Sequence, residues 1–394
     1  GLSRYNVGLW DDLSELGVTT IDSAAWTDSV ERLRSLAETP PPAPPAGLKA
    51  TLRPYQVDGY SWLNALWQAG LGGILADDMG LGKTVQTLAL LEQARAAGEI
   101  THPILVVAPT SVLGVWASEA ERFAPQLQVT VLSETSKRRG VPVAEAIASA
   151  DLVVTSYAVA RIDGDEFREV TWRGLIIDEA QFVKNHQAKT HHVLRAIQAP
   201  FRLAMTGTPL ENSLMDLWSL LALVAPGLYP RADRFSEVYR RPIESGESPE
   251  TLDRLRRRVR PLMLRRTKEL VAQDLPEKQE QNLSVELAPA HRRLYDQHLQ
   301  RERQRVLGLL DDPVGNRIAI LAALTRLRQL ALDPALIDPT RHTGTVPAKV
   351  EALIEHLQEL QAEGHRALVF SQFTTFLQLV RGHLTQAGIS TEYL

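Results

Sequence analysis

The residues best suited to chemistry form a short stretch, Asp77 to Thr84, that reads Asp-Asp-Met-Gly-Leu-Gly-Lys-Thr. Its two glycines can adopt the positive φ angles that turn successive backbone N–H groups toward one anion. The lysine adds a cation, and the threonine hydroxyl is a Mg²⁺ ligand in nucleotide-phosphate loops. We therefore predict a nucleotide-phosphate loop whose cofactor-binding residues are Gly80, Leu81, Gly82, Lys83 and Thr84. The general pattern begins with a glycine and this stretch does not, so an ordinary glycine-rich turn is the alternative.

Two adjacent carboxylates form the second candidate group. Asp178 and Glu179 directly follow the apolar run 175–177. Asp178 can bind Mg²⁺ directly or through water, and Glu179 can orient and deprotonate an attacking water. By itself, an Asp-Glu pair after a strand is more typical of a solvated helix start. Its combination with Lys83 favours the catalytic interpretation, with Lys83 and Glu179 as catalytic residues and Thr84 and Asp178 as metal ligands.

The elements that must position these side chains alternate along the chain. Short apolar runs predict buried strands at 73–76, 104–107, 129–132, 152–154, 175–177 and 202–205. Helical patterns lie between them at 85–97, 112–123, 143–149 and 188–197. This alternation indicates an α/β fold, a doubly wound parallel sheet that binds ligands at the carboxyl ends of its strands. Both candidate groups fall at such ends.

The rest of the chain divides into further segments. Residues 1–39 form a partly helical N-terminal segment, with a helix predicted over 26–37, and residues 40–46 form a proline-rich linker. The first α/β domain spans 47–211, and 212–344 form a helical insertion in which we predict no strand. Residues 345–394 begin a second α/β domain, with a helix at 348–362, a buried strand at 367–370 and a helix at 373–386. A sheet that short cannot bury its faces alone.

Composition limits the class of protein. The 394 residues are 44% hydrophobic and 23% charged, which is ordinary globular usage. The sequence has neither an apolar run long enough to span a membrane nor a signal peptide, so we expect an intracellular protein, cytoplasmic or nucleoid-associated in bacteria and nuclear in eukaryotes. With zero cysteines and no metal-ligand spacing among its histidines, Mg²⁺ bound with a nucleotide is the metal we expect. The net charge of −4 excludes a uniformly basic nucleic-acid wrapper but allows a local basic groove.

Several motifs, in this order, resemble the Swi/Snf-type branch of superfamily-two helicase-like ATPases. They are Leu52-Arg53-Pro54-Tyr55-Gln56, Asp77 to Thr84, Ala108-Pro109-Thr110-Ser111 with Trp116, Asp178-Glu179-Ala180-Gln181, Thr206 to Asn212, Leu264-Arg265-Arg266-Thr267-Lys268 and Val369-Phe370-Ser371-Gln372-Phe373. The phosphate loop of that family commonly begins with Asp, which accounts for the missing first glycine. The resemblance covers residues 48–394 and implies two RecA-like lobes, the second of them begun after residue 345. The Ala/Arg/Leu-rich, cysteine-free composition favours a bacterial member.

The resemblance also implies roles for individual residues. Gln56 would contact the adenine, and Gln181, Thr206, Gly207 and Thr208 would couple phosphate loss to lobe movement. Contacts with nucleic acid are implied for Thr110, Ser111, Arg265, Arg266, Ser371 and Gln372. For Trp116 we favour a core position over a stacking platform. The basic stretch 254–268 is equally compatible with nucleic-acid contact and with a solvated helix face that carries intramolecular ion pairs.

The implied function is ATP-dependent translocation on double-stranded DNA without obligatory strand separation, with ATP and Mg²⁺ as cofactors and protein partners bound through flanking regions. An RNA-directed helicase shares the phosphate loop and the carboxylate pair, and a nucleotide-gated nucleic-acid-binding module would need no turnover. Thr206-Gly207-Thr208-Pro209 and the helical insertion favour the DNA translocase. The family's arginine finger follows the motif at Phe370 and lies beyond residue 394, so we expect this chain to bind ATP but to hydrolyse it slowly.

Overall fold

A computed structural model describes residues 4–6, 30–31, 42–207, 213–246, 248–271, 282–308, 316–338, 346–362 and 364–393. The chain forms two compact units, Gly1–Pro276 and Glu277–Leu394. This division falls inside the predicted helical insertion, and the functional division at residues 212 and 345 stays a prediction. The predicted helix over 26–37 lies outside the described residues except at positions 30 and 31, which are helical. Among the described residues, no helix is long and apolar enough to cross a membrane.

The first unit is built on a seven-stranded sheet in the order β3-β4-β2-β5-β6-β1-β7. The strands are β1 (Gly73–Leu75), β2 (Ile104–Ala108), β3 (Val129–Leu132), β4 (Leu152–Ser156), β5 (Gly174–Ile177), β6 (Phe201–Met205) and β7 (Met263–Leu264). Every pairing is parallel. All residues of the five inner strands are buried, as in sheets covered by helices on both faces, whereas the two edge strands are partly exposed. The predicted α/β fold class is therefore confirmed.

Helices and short turns cover this sheet. From residue 42 onward, the described α-helices of the first unit, in chain order, are α1 (Pro54–Ala69), α2 (Lys83–Ala96), α3 (Leu113–Phe123), α4 (Ser136–Arg139), α5 (Val143–Ala146), α6 (Tyr157–Ile162), α7 (Gly164–Glu169), α8 (Lys189–Ala196), α9 (Leu214–Val224), α10 (Ala232–Phe235), α11 (Arg241–Glu244), α12 (Pro249–Val259) and α13 (Lys268–Val271). Turns of 3₁₀ helix span Thr110–Val112, Ala180–Val183 and Arg260–Leu262, and a π-helical turn spans Ser236–Arg240.

Strand β7 corrects the prediction that the helical insertion contains no strand. Met263 and Leu264 pair with Ile74 and Leu75 of β1 in parallel register. The Trp62 indole N–H donates to the carbonyl of Pro261, just before this strand, at 3.1 Å. A two-residue strand leaves no periodic signal in the sequence, because it forms on an edge that is already present.

The second unit contains α14 (Pro289–Leu307), α15 (Arg317–Leu332), α16 (Ala348–Ala362) and α17 (Thr374–Gln386), with a 3₁₀ turn at Pro334–Leu336. A small apolar cluster includes Val350 on α16 and Val380 on α17. The buried strand predicted at 367–370 is not formed: these residues have no regular secondary structure, and Leu368 is 81% exposed. Their apolar pattern has no neighbouring strand to bind, and a strand needs one.

Candidate nucleotide site

The predicted phosphate loop connects β1 to α2 at the carboxyl edge of the sheet. Gly80 has φ 82° and Gly82 has φ 77°, so both glycines adopt the predicted left-handed conformation. Gly82 is the N-cap of α2, and Lys83 and Thr84 occupy the first two helical positions. Backbone N–H groups in such a turn, together with the positive end of the helix dipole, form an anion-binding site.

Lys83 lies within a group of acidic residues. Its ammonium donates to the backbone carbonyl of Asp77 at 2.8 Å and to that of Asp78 at 3.2 Å. Burial lowers the pKa of Lys83, and the nearby carboxylates, with Glu179 the strongest among them, act in the opposite direction. The lysine is thus a partly desolvated cation at the loop, which strengthens its attraction for an anion.

Gln56 on α1 contacts the phosphate loop directly. Its side-chain amide donates to the Leu81 carbonyl at 3.2 Å and accepts from the Arg53 backbone N–H at 2.9 Å. Gly82 has φ 77°, which favours glycine, and a Cβ there would also lie 2.5 Å from the Gln56 amide nitrogen. The Leu81 side chain is buried, so this predicted cofactor residue offers its backbone to a ligand.

Asp178 is held beside the loop by three groups from different elements. The Trp116 indole donates to Asp178 Oδ2 at 2.8 Å, and the Glu179 backbone N–H donates to Oδ1 at 2.9 Å. The Tyr157 hydroxyl donates to the Asp178 carbonyl at 2.5 Å. Burial raises the pKa of the Asp178 carboxyl and the charge of Glu179 adds to this shift, whereas the Trp116 and Glu179 N–H donors and the charge of Lys83 oppose it. Trp116 is fully buried, as predicted for a core residue, and it also orients the carboxylate.

The backbone of Glu179 adopts a strained conformation beside the phosphate loop. Its φ of 47° makes it the one non-glycine residue with positive φ in the described part of the chain. Such a conformation costs about 1–3 kcal/mol and is found most often at functional sites. Burial raises the pKa of Tyr157 well above its usual range, with Asp178 and Glu179 adding to the shift, so its phenol stays a neutral donor to this turn.

A chain of hydrogen bonds connects Glu179 to the next strand end. The Gln181 amide donates to Glu179 Oε2 at 2.7 Å, and the Thr206 hydroxyl donates to Gln181 Oε1 at 2.8 Å. Thr206 follows β6 directly, and a Cβ on Gly207 would lie 2.9 Å from the Met79 side chain. Three of the four predicted coupling residues therefore lie together beside the loop, and the fourth, Thr208, lies outside the described residues.

The oxygen ligands present fit a Mg²⁺ ion that arrives with phosphates. Mg²⁺ is usually bound by one or two protein oxygens plus waters and substrate phosphates. The Thr84 hydroxyl and the Asp178 carboxylate are the candidate ligands, and Glu119 on α3 lies near both: it hydrogen-bonds Thr84 and interacts electrostatically with Asp178. Burial raises the pKa of Glu119, and Asp178 raises it further. No group of three or more acidic or histidine side chains among the described residues forms a metal site without phosphate.

The residue that replaces the expected first glycine has a structural partner. Asp77 is fully buried, and its carboxylate accepts from the Arg266 backbone N–H at 3.1 Å and from the Arg266 Nε at 3.0 Å; Arg266 Nη2 also contacts it. The same guanidinium donates to Gln86 Oε1 at 2.7 Å. An arginine engaged in this way has little capacity left for nucleic acid, so the structure does not fit the role predicted for Arg266.

The other arginines of the basic stretch divide between intramolecular and exposed positions. Arg258 donates to the Tyr239 hydroxyl at 2.7 Å, and the Arg254 guanidinium lies 5.6 Å from the centre of the same ring. Arg256 pairs with Asp253 at 3.4 Å on an exposed helix face. Arg265 is exposed. Intramolecular contacts therefore account for part of this stretch.

The remaining predicted nucleic-acid contacts lie in different units. Thr110 and Ser111 are exposed in the 3₁₀ turn after β2, at the same sheet edge as the phosphate loop. Ser371 and Gln372 belong to the second unit, where Ser371 Oγ accepts from the Phe373 N–H at 3.1 Å and Gln372 Oε1 accepts from Arg328 at 3.4 Å. Nucleic-acid binding by these residues stays a prediction.

Sequence reasoning missed three contributors to the site. Tyr157 and Glu119 gave no signal, because an isolated tyrosine or a helical glutamate is common. A buried aspartate in place of the first glycine of a phosphate loop requires a cationic partner, but nothing in the sequence identifies Arg266 as that partner.

Comparisons with known proteins agree with this geometry. Over 330 residues the chain is 36% identical to "Putative ATP-dependent helicase/translocase YwqA" of Bacillus subtilis, covering 82% of this chain and 36% of that protein. It is 35% identical over 355 residues to "ISWI chromatin-remodeling complex ATPase CHR17" of Arabidopsis thaliana, covering 87% of this chain and 33% of that protein. The chain thus spans about a third of the length of these curated relatives.

A solved structure and a family model complete the comparison. The structure "Sulfolobus solfataricus SWI2/SNF2 ATPase core in complex with dsDNA" matches with a TM-score of 0.57 and 33% identity, over 88% of this chain and 72% of that one. The model of the SNF2-related domain matches residues 55–336, a range that includes the phosphate loop, the carboxylate pair and the Arg266 anchor. On this match, which covers most of its length, the chain belongs to the SNF2-related domain family.

Proposed function

We propose that this chain binds MgATP and by itself hydrolyses it slowly, and that the activity to which it contributes is ATP-driven movement along double-stranded DNA, without separation of the strands. The observation that carries the proposal is the hydrogen-bonded chain from Glu179 through Gln181 to Thr206, beside the Lys83 loop. It connects the residue suited to activate water with a second strand end. A loop that only bound a nucleotide would not need this connection.

The nucleotide is bound by backbone and side-chain groups with separate tasks. The loop N–H groups and Lys83 bind the phosphates, Thr84 and Asp178 hold Mg²⁺, and Gln56 contacts the adenine. Bound Mg²⁺ neutralises charge that develops on the phosphates. Glu179 accepts a proton from the attacking water, and the Gln181 amide, which donates to Glu179 Oε2, holds the carboxylate. Gln181 and Thr206 respond when the terminal phosphate leaves.

Duplex DNA is the proposed track. A relative with 33% identity has been solved as a core "in complex with dsDNA", and the Bacillus subtilis relative carries the name helicase/translocase. Thr110 and Ser111 offer exposed hydroxyls at the sheet edge that also carries the phosphate loop. Hydroxyl contacts to phosphates fix position without reading sequence, which suits a protein that moves along DNA.

The phosphate loop is tested with Lys83→Ala, which removes the cation and leaves the fold in place. We expect MgATP binding and ATP-dependent translocation to be lost. Lys137→Ala is the matched control, because Lys137 is exposed next to β3, at the far edge of the sheet. Equal MgATP affinity in the Lys83 variant and the wild type would refute the site.

The role of Glu179 is tested with Glu179→Gln, which keeps the shape and removes the base. We expect MgATP affinity to be retained and hydrolysis to fall at least ~10²-fold, the scale of lost general-base assistance. Hydrolysis is measured by phosphate release from a protein that contains both lobes, at saturating MgATP and duplex DNA. Turnover near the wild-type rate would remove Glu179 from the mechanism.

The choice of nucleic acid is tested by measuring ATP hydrolysis by a protein that contains both lobes, with duplex DNA, single-stranded DNA, RNA and no nucleic acid. We expect the largest stimulation by duplex DNA, and binding that weakens steeply with salt because phosphate contacts release counterions. Replacing Thr110 and Ser111 together by alanine should weaken binding equally for all duplex sequences. Stimulation by RNA alone would indicate an RNA-directed helicase, and hydrolysis that no nucleic acid changes would contradict the proposed track.

A further inference from the structure

The phosphate loop is bordered on its outer side by a segment of the helical insertion. Beyond the β1–β7 pair, the Ala76 N–H donates to the Leu264 carbonyl at 2.7 Å and the Asp78 N–H donates to the Arg266 carbonyl at 3.0 Å. The Lys268 N–H donates back to Asp78 Oδ2 at 3.0 Å. Residues 264–268, the flanking segment, therefore run beside residues 76–78, held by two backbone bonds and by the bond to the Asp78 carboxylate.

This pairing places a second lysine over the loop. A Cβ built on Gly80 would lie 3.7 Å from both the Cε and the Nζ of Lys268. Gly80 is one of the two positive-φ glycines that turn the loop around its anion site. The Lys268 side chain is exposed, so it can move the short distance to a ligand without leaving a buried partner unpaired.

The charges around the loop are compatible with a second cation at the phosphate site. The Asp77 carboxylate is already paired with Arg266, and the Asp78 carboxylate accepts the Lys268 backbone N–H. The Lys83 ammonium already donates to the backbone carbonyls of Asp77 and Asp78, and Glu179, Asp77 and Asp178 are among the carboxylates that act on it. A polyphosphate carries more negative charge than one lysine neutralises, and charge-assisted hydrogen bonds from lysine to phosphate are among the stronger contacts in proteins.

We propose that Lys268 is a second phosphate-binding residue of the nucleotide site, contributed by the helical insertion and directed at the terminal phosphates of MgATP. The inference rests on the proposed ATP binding and extends it. Lys83 binds the phosphates from the start of α2, and Lys268 binds them from the flanking segment. Because Lys268 begins α13, this contact also connects nucleotide occupancy to the insertion.

The test measures equilibrium binding of MgATP, MgADP and MgAMP in the absence of DNA. Binding is detected by the displacement of a fluorescent nucleotide. Four forms of the 394-residue chain are compared: wild type, Lys268→Ala, Lys268→Arg and the control Lys137→Ala. We expect Lys268→Ala to weaken MgATP binding about tenfold, the scale of one charge-assisted hydrogen bond. MgADP should be affected less and MgAMP not at all, Lys268→Arg should restore most of the affinity, and Lys137→Ala should match the wild type.

The salt dependence and the direction of the change separate a phosphate contact from other roles. A lost phosphate contact should reduce the dependence of MgATP affinity on ionic strength, whereas a lost packing contact should leave it unchanged. Wild-type affinity in Lys268→Ala, or an equal loss for all three nucleotides, would overturn the inference while leaving the Lys83 site in place. Tighter MgATP binding in Lys268→Ala would also overturn it, since the lysine would then compete with the ligand. A wild-type chain that binds no MgATP would overturn the proposed function itself.

Discussion

In two segments of this chain, the secondary structure differs from the one that the amino-acid composition predicts. Residues 367–370, Ala-Leu-Val-Phe, have the composition of a buried strand, yet they form none, and Leu368 and Phe370 are exposed. The flanking segment begins Leu-Arg-Arg and has the composition of a surface turn, yet it continues β7 and lines the phosphate loop. One segment has a strand sequence without a neighbour, and the other has a neighbour without a strand sequence.

The difference shows that an available edge determines strand formation more than residue preference does. Strand preferences span about 1 kcal/mol and depend on context, whereas each ladder bond requires a partner. β1 offers a free edge that β7 occupies, and Arg266 makes the pairing specific through the buried Asp77. Around 367–370, the described residues provide only helices and loops.

The largest effect is expected when Arg266, whose ion pair with Asp77 holds the flanking segment, is removed. Arg266→Ala leaves the Asp77 carboxylate buried and unpaired, and breaking a buried ion pair in this way costs about 3–5 kcal/mol. We expect the free energy of unfolding of the first unit to fall by that amount. It is measured by urea titration with tryptophan fluorescence, which reports on the first unit because all 7 tryptophans lie before residue 277.

Two companions sharpen this measurement. Arg265→Ala changes the exposed neighbour and should alter the free energy of unfolding by less than about 0.5 kcal/mol. The double change Asp77→Asn with Arg266→Met removes both charges and should recover a large part of the loss, because apolar replacements of buried pairs are often tolerated. If Arg265→Ala and Arg266→Ala lose the same stability, the Asp77 pair does not anchor the segment.

The fold was largely predictable from the sequence because its inner strands are continuous apolar runs. Strands such as Ile104–Ala108 are buried along their whole length, so their composition is unambiguous. Edge strand β7 was missed, because two residues shaped by a neighbour carry no pattern. The strand predicted at 367–370 was wrong for the complementary reason.

The candidate site was predictable where backbone geometry requires a residue type. The positive φ angles at Gly80 and Gly82 followed from their places in the loop, and the structure has them. Contacts between distant segments were not predictable: Tyr157 reaches Asp178, and Arg266 reaches Asp77, across many residues of chain. Only the folded sheet brings these partners to one edge.

Strand β1, whose edge pairs with β7, is tested at its start with Gly72→Ala. A Cβ on Gly72 would lie 2.1 Å from the Val224 carbonyl oxygen and 2.5 Å from the Arg202 carbonyl oxygen, both in the backbone. We expect a loss of about 1–3 kcal/mol in the same urea titration, the cost of overpacking a tight site. Gly114→Ala is the control, because nothing lies within 4 Å of its added carbon, and it should be neutral or stabilising by up to about 1 kcal/mol. Equal effects of the two changes would show that the start of β1 can shift without cost.

A smaller effect is expected from Trp62→Phe, which removes the hydrogen bond to the Pro261 carbonyl and keeps most of the ring packing. One neutral hydrogen bond contributes about 1 kcal/mol, so the first unit should lose roughly that amount. The other six tryptophans still report unfolding. A loss above about 3 kcal/mol would mean that ring packing, rather than the hydrogen bond that positions β7, dominates at this residue.

The smallest effect is expected where the strand-like sequence has no neighbour. Leu368→Ser and Phe370→Ser change side chains that are 81% and 86% exposed, so little apolar area is returned to water. We expect the stability of the second unit to change by less than about 0.5 kcal/mol. Amide hydrogen exchange along Thr374–Gln386 measures this, with Val380→Ser as the matched buried change, since Val380 is 2% exposed within the apolar cluster. Val380→Ser should speed exchange throughout this helix, and the two exposed changes should not. Faster exchange in Leu368→Ser comparable to that in Val380→Ser would mean that residues 367–370 are packed in solution, and an available edge would no longer explain why they form no strand.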